Sequence, residues 1–196
     1  MNTADKMKKN AEKYRERMEE IRRDWTRSEE AKGIDLEAAY TEARSAHKSL
    51  EDQYRNEVRD RLTNARKKSF APPTSGDRNL AALSYRDALE RAARLRDARE
   101  LSDLLERAEI TGDHPLAKAV LYRGYELQSE GLVRSYFEKY PDEVPAWESF
   151  MDAAEEHNTL ETLGISGAAG VLEPERPQEL GRSFAVTSGA VGGEAG

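Results

Sequence analysis

Cysteine is absent from the 196-residue chain. Disulfides, thiolate catalysis and cysteine-type zinc sites are therefore excluded. Histidine is scarce. His47, His114 and His157 fall on three different predicted helices, and none belongs to an HExxH-type ligand pair. His47 takes a seam position and reads as a packing residue. His114 opens a helix behind Asp113, and His157 sits near a helix end, where a cation is mildly favoured. Glu106, Glu109 and Glu155 lack a histidine three residues on, so the Glu-x-x-His pairs of a di-iron bundle are missing. There is no GxSxG, no GxxxxGK[ST] and no GxGxxG after a strand. Gly164-x-x-Gly167-x-x-Gly170 follows a predicted helix and opens nothing. No catalytic residue, metal ligand or cofactor site is expected, and the chain reads as a non-enzyme.

Long apolar runs are also missing. None approaches the roughly 18 residues that a membrane span requires. Met1-Asn2-Thr3-Ala4-Asp5 leads into charges instead of the apolar stretch of a secretory signal. What the chain has in excess is charge: 35% of residues, against 37% hydrophobic. Such a chain favours long helices with narrow apolar stripes over one large core. The charge is uneven. Residues 1–70 carry 18 Lys/Arg against 15 Asp/Glu, a net of +3, and residues 71–163 carry 11 against 19, a net of −8. A basic front and an acidic middle point to head-to-tail self-association, hence a homo-oligomer, or to an oppositely charged protein partner.

Residues 3–70 contain no proline and a single glycine, Gly33, which marks the span as helical. Apolar residues at Met7, Ala11, Tyr14, Met18, Ile21 and Trp25 step by 4 and 3, a heptad seam. The seam resumes at Leu36, Tyr40, Ala43, His47, Leu50 and Tyr54, then stutters through Val58. Lys32-Gly33-Ile34-Asp35 reads as a helix stop and restart, with Gly33 past one helix end and Asp35 capping the next. The expected arm, 1–70, is then a long helical hairpin. The alternative is one continuous rod. Met18, Ile21, Trp25, Leu36, Leu50 and Tyr54 are the candidate self-association seam.

Residues 71–76, with Pro72 and Pro73, read as a linker. Residues 77–160 read as a compact helical bundle. Its first helix runs through Leu80, Leu83, Leu89 and Leu105 to Thr111-Gly112, and Asp113 caps the second ahead of Pro115. A short helix follows Gly131, Tyr140-Pro141-Asp142 turns the chain, and a last helix carries Trp147 and Phe150. These two are candidate partner contacts as well as core residues. Residues 164–196 hold eight of the thirteen glycines and read as a flexible tail. Phe184, in Arg182-Ser183-Phe184-Ala185-Val186, is a candidate docking residue within it.

Lys8, Lys9, Lys67 and Lys68 are the candidate phosphate contacts. An antiparallel hairpin would bring the two clusters to one basic tip able to touch phosphates without sequence preference. Lys67 and Lys68 also complement the dipole of a helix end, so this reading, a cytoplasmic regulatory or nucleic-acid-associated binding module, stands second.

The stretch from Ala108 through Gly112-Asp113-His114-Pro115 to Val120, followed by Tyr122-Arg123-Gly124-Tyr125-Glu126 and Tyr140-Pro141, resembles small helical proteins of actinobacterial phages. The resemblance covers residues 36–150 loosely. It implies a scaffolding or capsid-associated role in virion assembly, with a coat or other virion protein as partner, in the host cytoplasm or the virion. The expected fold is all-α: a long N-terminal hairpin or coiled coil, a small helical bundle and a flexible C-terminal tail.

Overall fold

The computed structural model describes residues 1–71 and 78–181. Most of the expected linker and the last part of the expected tail with Phe184 lie outside the described residues. Those described are all-α, with seven helices and no strand. The helices are α1 (Thr3–Arg23), α2 (Glu29–Phe70), α3 (Arg78–Ala93), α4 (Ala98–Thr111), α5 (His114–Glu126), α6 (Glu130–Lys139) and α7 (Val144–Ala169), with single 3-10 turns at Pro141–Glu143 and Gln178–Gly181.

Two compact units divide the chain: Met1–Val58 with Glu156–Gly196, and Arg59–Glu155. This differs from the expected 1–70 arm and 77–160 bundle. The reason is that α2 and α7 are each long enough to serve two cores. Tyr54 and Val58 of α2 bury with Leu160 and Ile165 of α7, whereas Ala65 and Phe70 bury with Phe150 and Ala153.

In the first unit the hairpin reading holds. Asn2 and Asp5 form a capping box that starts α1. Met7, Tyr14 and Ile21 are buried at strict seven-residue spacing, the period of a seam facing one partner. The Thr3 hydroxyl donates to Glu57 at 2.7 Å, Asn10 Nδ2 donates to the Ala43 carbonyl at 3.0 Å, and Tyr14 meets Tyr40 with ring centroids 6.4 Å apart. Numbers fall along α2 as they rise along α1, so the two are antiparallel. The buried residues of α2 follow a different rule. Leu36, His47 and Val58 repeat every eleven residues, as do Ala43, Tyr54 and Ala65. Eleven residues make three turns of about 3.67 residues, close to the natural helix, so one face stays aligned without left-handed supercoiling. The stutter read at 50–54–58 is one part of that repeat.

The break is not where the glycine suggested. Gly33 lies inside α2, with open space where a Cβ would go. The chain turns at residues 24–28 instead. Asp24 accepts from the Thr26 amide at 2.9 Å and from its hydroxyl at 2.6 Å, an Asx turn that diverts the backbone from helix. Ser28 restarts it, its Oγ accepting from the Ala31 amide at 3.2 Å and its carbonyl from the Lys32 amide at 3.0 Å.

The expected flexible tail is ordered as far as it is described. Residues 164–169 complete α7, which kinks at Gly164, where φ is +67°, a conformation that favours glycine. Ile165, Ala169 and Val171 then bury against Met7, Tyr54 and Val58.

In the second unit the long first helix expected through Leu80–Ala108 is two, because Asp97 caps α4 by accepting from the Arg99 amide at 2.9 Å. Leu80 and Leu83, expected in the bundle, are exposed. Gly112, at φ +65°, ends α4, and Asp113 caps α5 through the Leu116 amide at 3.0 Å, as the sequence indicated. Phe70 sits among Tyr122, Tyr125, Trp147 and Phe150, with ring centroids 5.0–6.0 Å away, a separation at which edge-to-face pairs attract.

Because Gly33 holds an ordinary helical position, Gly33→Ala is expected to stabilise the protein by about 0.5–1 kcal/mol. Thermal unfolding should rise by about 1–4 °C. A fall in melting temperature would instead place a left-handed turn at that residue.

Candidate functional site

The seam is spent on the chain's own hairpin. Ile21, Leu36 and Tyr54 are buried within one chain, with Met18 and Leu50 half-buried. Trp25 departs from them. It stands in the turn, 89% exposed, and Ile34, in the second turn of α2, is 67% exposed. A buried Trp stabilises a fold by a few kcal/mol, and here the chain forgoes that gain. The turn beneath it is pinned. Besides the Asx turn, the Arg27 guanidinium pairs with Asp24 at 3.7 Å and with Asp35. The Thr26 hydroxyl and amide hold the exposed Asp24 carboxyl below its ordinary 3.8. The result is a fixed backbone presenting an uncovered indole, the residue type most enriched where binding energy concentrates.

Along the outside of the hairpin runs residues 170–181, here the strap. Val171, Pro174 and Pro177 are buried while the residues between them are exposed. A period of three is that of polyproline II, which has three residues per turn and no internal hydrogen bonds. The Tyr14 hydroxyl donates to the Glu175 carbonyl at 2.7 Å. Arg22 forks onto Glu179 at 2.7 and 3.2 Å, and Arg176 reaches Glu37 at 3.4 Å. Burial pushes the Tyr14 phenol up, and the hydrogen bond to Glu179 raises Arg22. Two open grooves flank the strap. One of about 460 Å³ is lined by Lys8, Ala11, Arg15 and Leu172, and one of about 410 Å³ by Met18, Arg22 and Gln178. Sequence reasoning missed this element because glycine and proline content was weighed and the Pro174-x-x-Pro177 spacing was not.

The expected partner contacts of the bundle are core residues. Phe150 is 2% exposed, and Trp147 packs half-buried against Phe70, Tyr125, Phe137 and Phe150. Neither presents a free face in the second unit. Lys8 and Lys9 lie exposed in the first unit, and Lys67 and Lys68 lie exposed in the second. Neither unit by itself gathers the two clusters into a basic tip. Arg66, next to the second cluster, is turned onto Tyr122, its guanidinium 5.3 Å from the ring centroid and Nη2 bonded to the hydroxyl.

The strongest polar cluster is structural. Lys118, buried on α5, donates from Nζ to the Ser69 carbonyl at 2.7 Å and pairs with Glu143 at 2.6 Å. The Tyr136 hydroxyl donates to the same Glu143 oxygen at 2.7 Å, and Ser69 Oγ donates to the Ala146 carbonyl at 2.7 Å. Ser69 is in the last turn of α2, whose carbonyls have no helical partner. The ammonium therefore satisfies an orphan carbonyl and complements the negative helix end. Lys118 is 6% exposed, and its ammonium is held by the Ser69 carbonyl and Glu143. His47 is 3% exposed, its ring nitrogens without a hydrogen bond and its nearest carboxylate, Glu51, 3.8 Å away. It packs in the seam, as expected. His114 meets the Tyr140 ring edge-on at 5.9 Å. Among the described residues no three His, Asp or Glu side chains gather to hold a metal ion, and no helix is long and apolar enough to cross a membrane.

Two predictions follow from the second unit. Lys118→Met strips Glu143 and the Ser69 carbonyl of their cation. Glu143 is about a third exposed, so the expected loss, about 2–3 kcal/mol, lies below that of a fully buried pair. Urea denaturation measures it, and a loss under about 0.5 kcal/mol would show that the ammonium contributes no more than its methylenes. Burial also pushes the Tyr85 phenol up to about 12 and, with the hydrogen bond to Glu143 second, raises Tyr136 further. The folded state holds these protons where the unfolded chain, with phenols near 10, releases them. The stability they contribute is fully present below pH about 10 and is lost as pH rises through about 12. The urea midpoint should fall over that window, and Tyr85→Phe should flatten the fall.

The chain matches no family model, no curated protein and no solved structure.

Proposed function

We propose that the chain is a non-enzymatic structural or assembly protein that acts by helical docking, in the setting its sequence resemblance implies, the assembly of an actinobacterial phage virion. One observation carries the docking part. A hairpin that buries Met7, Tyr14, Ile21 and Leu36 within one chain nonetheless holds Trp25 outward, 89% exposed, on a turn fixed by Asp24, Thr26 and Arg27. A rigid stem with an uncovered indole at its closed end is an economical anchor. Little conformational freedom is lost on binding, and a partner pocket desolvates one large apolar group. The virion setting rests on the resemblance alone. A coat or other virion protein is the partner it nominates, and the site of action is the host cytoplasm or the virion.

The test is a nuclease-treated pull-down from phage-infected cells with tagged wild-type chain and with Trp25→Ala, bound proteins being identified by mass spectrometry. The wild type is expected to recover a coat, portal or scaffold-type protein at near-stoichiometric level, and Trp25→Ala to lose at least about tenfold of it, as for a hot-spot residue worth 1.4 kcal/mol or more. Recovery of host regulatory proteins or of nuclease-sensitive material only would overturn the assembly reading. Undiminished recovery with Trp25→Ala would overturn the role of the tip.

A further inference from the structure

We propose that the flank of the α1 seam, where Ala11, Tyr14, Met18 and Arg22 line the strap's grooves, is a receptor for an extended, acidic Pro-x-x-Pro segment, filled in one chain by its own strap and open to the same strap of a second copy. The recognition chemistry is already seated. Val171, Pro174 and Pro177 turn inward at every third position. Tyr14 donates a hydrogen bond to a backbone carbonyl, and Arg22 grips a carboxylate with two nitrogens. Polyproline II segments are recognised elsewhere by docking into aromatic-lined grooves; here one aromatic, Tyr14, supplies both a ring and a phenol aimed at a carbonyl, and Arg22 supplies a charge.

The spacing agrees. Tyr14 pairs with residue 175 and Arg22 with residue 179. Eight helical residues advance about 12 Å. The three extended steps from Glu175 to Gln178 advance about 9 Å at the polyproline II rise, and the step to Glu179 enters the Gln178–Gly181 3-10 turn, adding about 2 Å. Side chains on α1 two turns apart thus meet strap positions four residues apart to within about 1 Å.

Three features make the strap exchangeable. First, among the described residues the strap forms no strand, and the Tyr14–Glu175, Arg22–Glu179 and Arg176–Glu37 bonds to the hairpin each use a side chain of at least one partner. Second, it follows Gly170, at φ +63°, six residues after the Gly164 kink, so hinge positions stand at its root. Third, the Arg22–Glu179 pair is about half exposed, so opening that pair costs little, and the burial of Val171, Pro174 and Pro177 is regained on the second copy. An exchanged strap makes the same contacts as a closed one, which is why swapping is an inexpensive route to a dimer. This names a second copy as one partner in the assembly reading and rests on that reading for its use. Its test does not, because purified chain suffices. Failure here leaves Trp25-dependent docking standing, and failure there leaves this standing.

The experiment uses two full-length charge reversals. Arg22→Glu alone sets two carboxylates against each other within the chain, and Glu179→Arg alone sets two guanidiniums. Mixed, each strap finds its opposite charge only on the other chain. Light scattering should then show a species of twice 22.1 kDa in the mixture, with each variant alone at monomer mass. Far-UV circular dichroism should show that both keep their helix content, as expected for half-exposed positions. A fluorescein-labelled peptide of residues 170–181 should bind the Glu179→Arg chain about tenfold more tightly than the Arg22→Glu chain, the like-charge contact being the difference. A mixture that stays at monomer mass overturns strap exchange. A peptide that binds neither variant, or both equally, overturns the receptor itself.

Discussion

Closure of α1 on α2 is the contact from which the first unit is built. Met7, Tyr14 and Ile21 disappear from solvent, and in a chain with 35% charged residues little other apolar surface is left to bury. That economy explains what surrounds the seam. A stripe this narrow leaves α1 with a flank beside the seam, and the strap covers part of it through three apolar residues and a fork of hydrogen bonds. Among the described residues the indole of Trp25 stays 89% exposed at the closed end of the α1–α2 stem, so the tryptophan adds little burial to this fold.

The second unit solves a different problem with the far end of α2. A helix terminus that packs among aromatic rings carries carbonyls without partners, and water is excluded from them. Lys118 answers one of these from α5, and Glu143 neutralises the lysine while also accepting from Tyr136. The arrangement ties four elements, α2, α5, α6 and the Pro141–Glu143 turn, around one ion pair.

Much of this was legible in the sequence. The all-α class followed from heptad steps and the dearth of proline and glycine across residues 3–70, and the Gly112-Asp113 stop and start was read correctly because glycine at a left-handed cap and aspartate at an N-cap act locally. Gly33 misled for the complementary reason. Glycine permits a turn without requiring one, and in helix it costs only about 1 kcal/mol, which the buried face of α2 outweighs. The actual turn at Asp24–Ser28 was signalled by an Asx residue and a serine cap, which are weaker in composition and stronger in geometry. The division into units was not legible, because whether one long helix serves one core or two depends on which residues meet Tyr54 and Phe70, and no local pattern encodes that.

The strap shows where composition fails as a guide to order. Glycine and proline enrichment argues against a packed core because such segments bury too little to offset their entropy. Proline works in the opposite direction once the segment is extended. Its φ is already fixed, so the unfolded chain has less freedom to lose, and polyproline II asks for no backbone partners. A segment with prolines three apart and a valine three before them therefore needs only a helix face with apolar seats and a few well-placed polar groups. The face of α1 that carries Tyr14 and Arg22 supplies both, and a surface that holds such a segment by side chains alone is specific for the segment's sequence without being specific for the chain it belongs to.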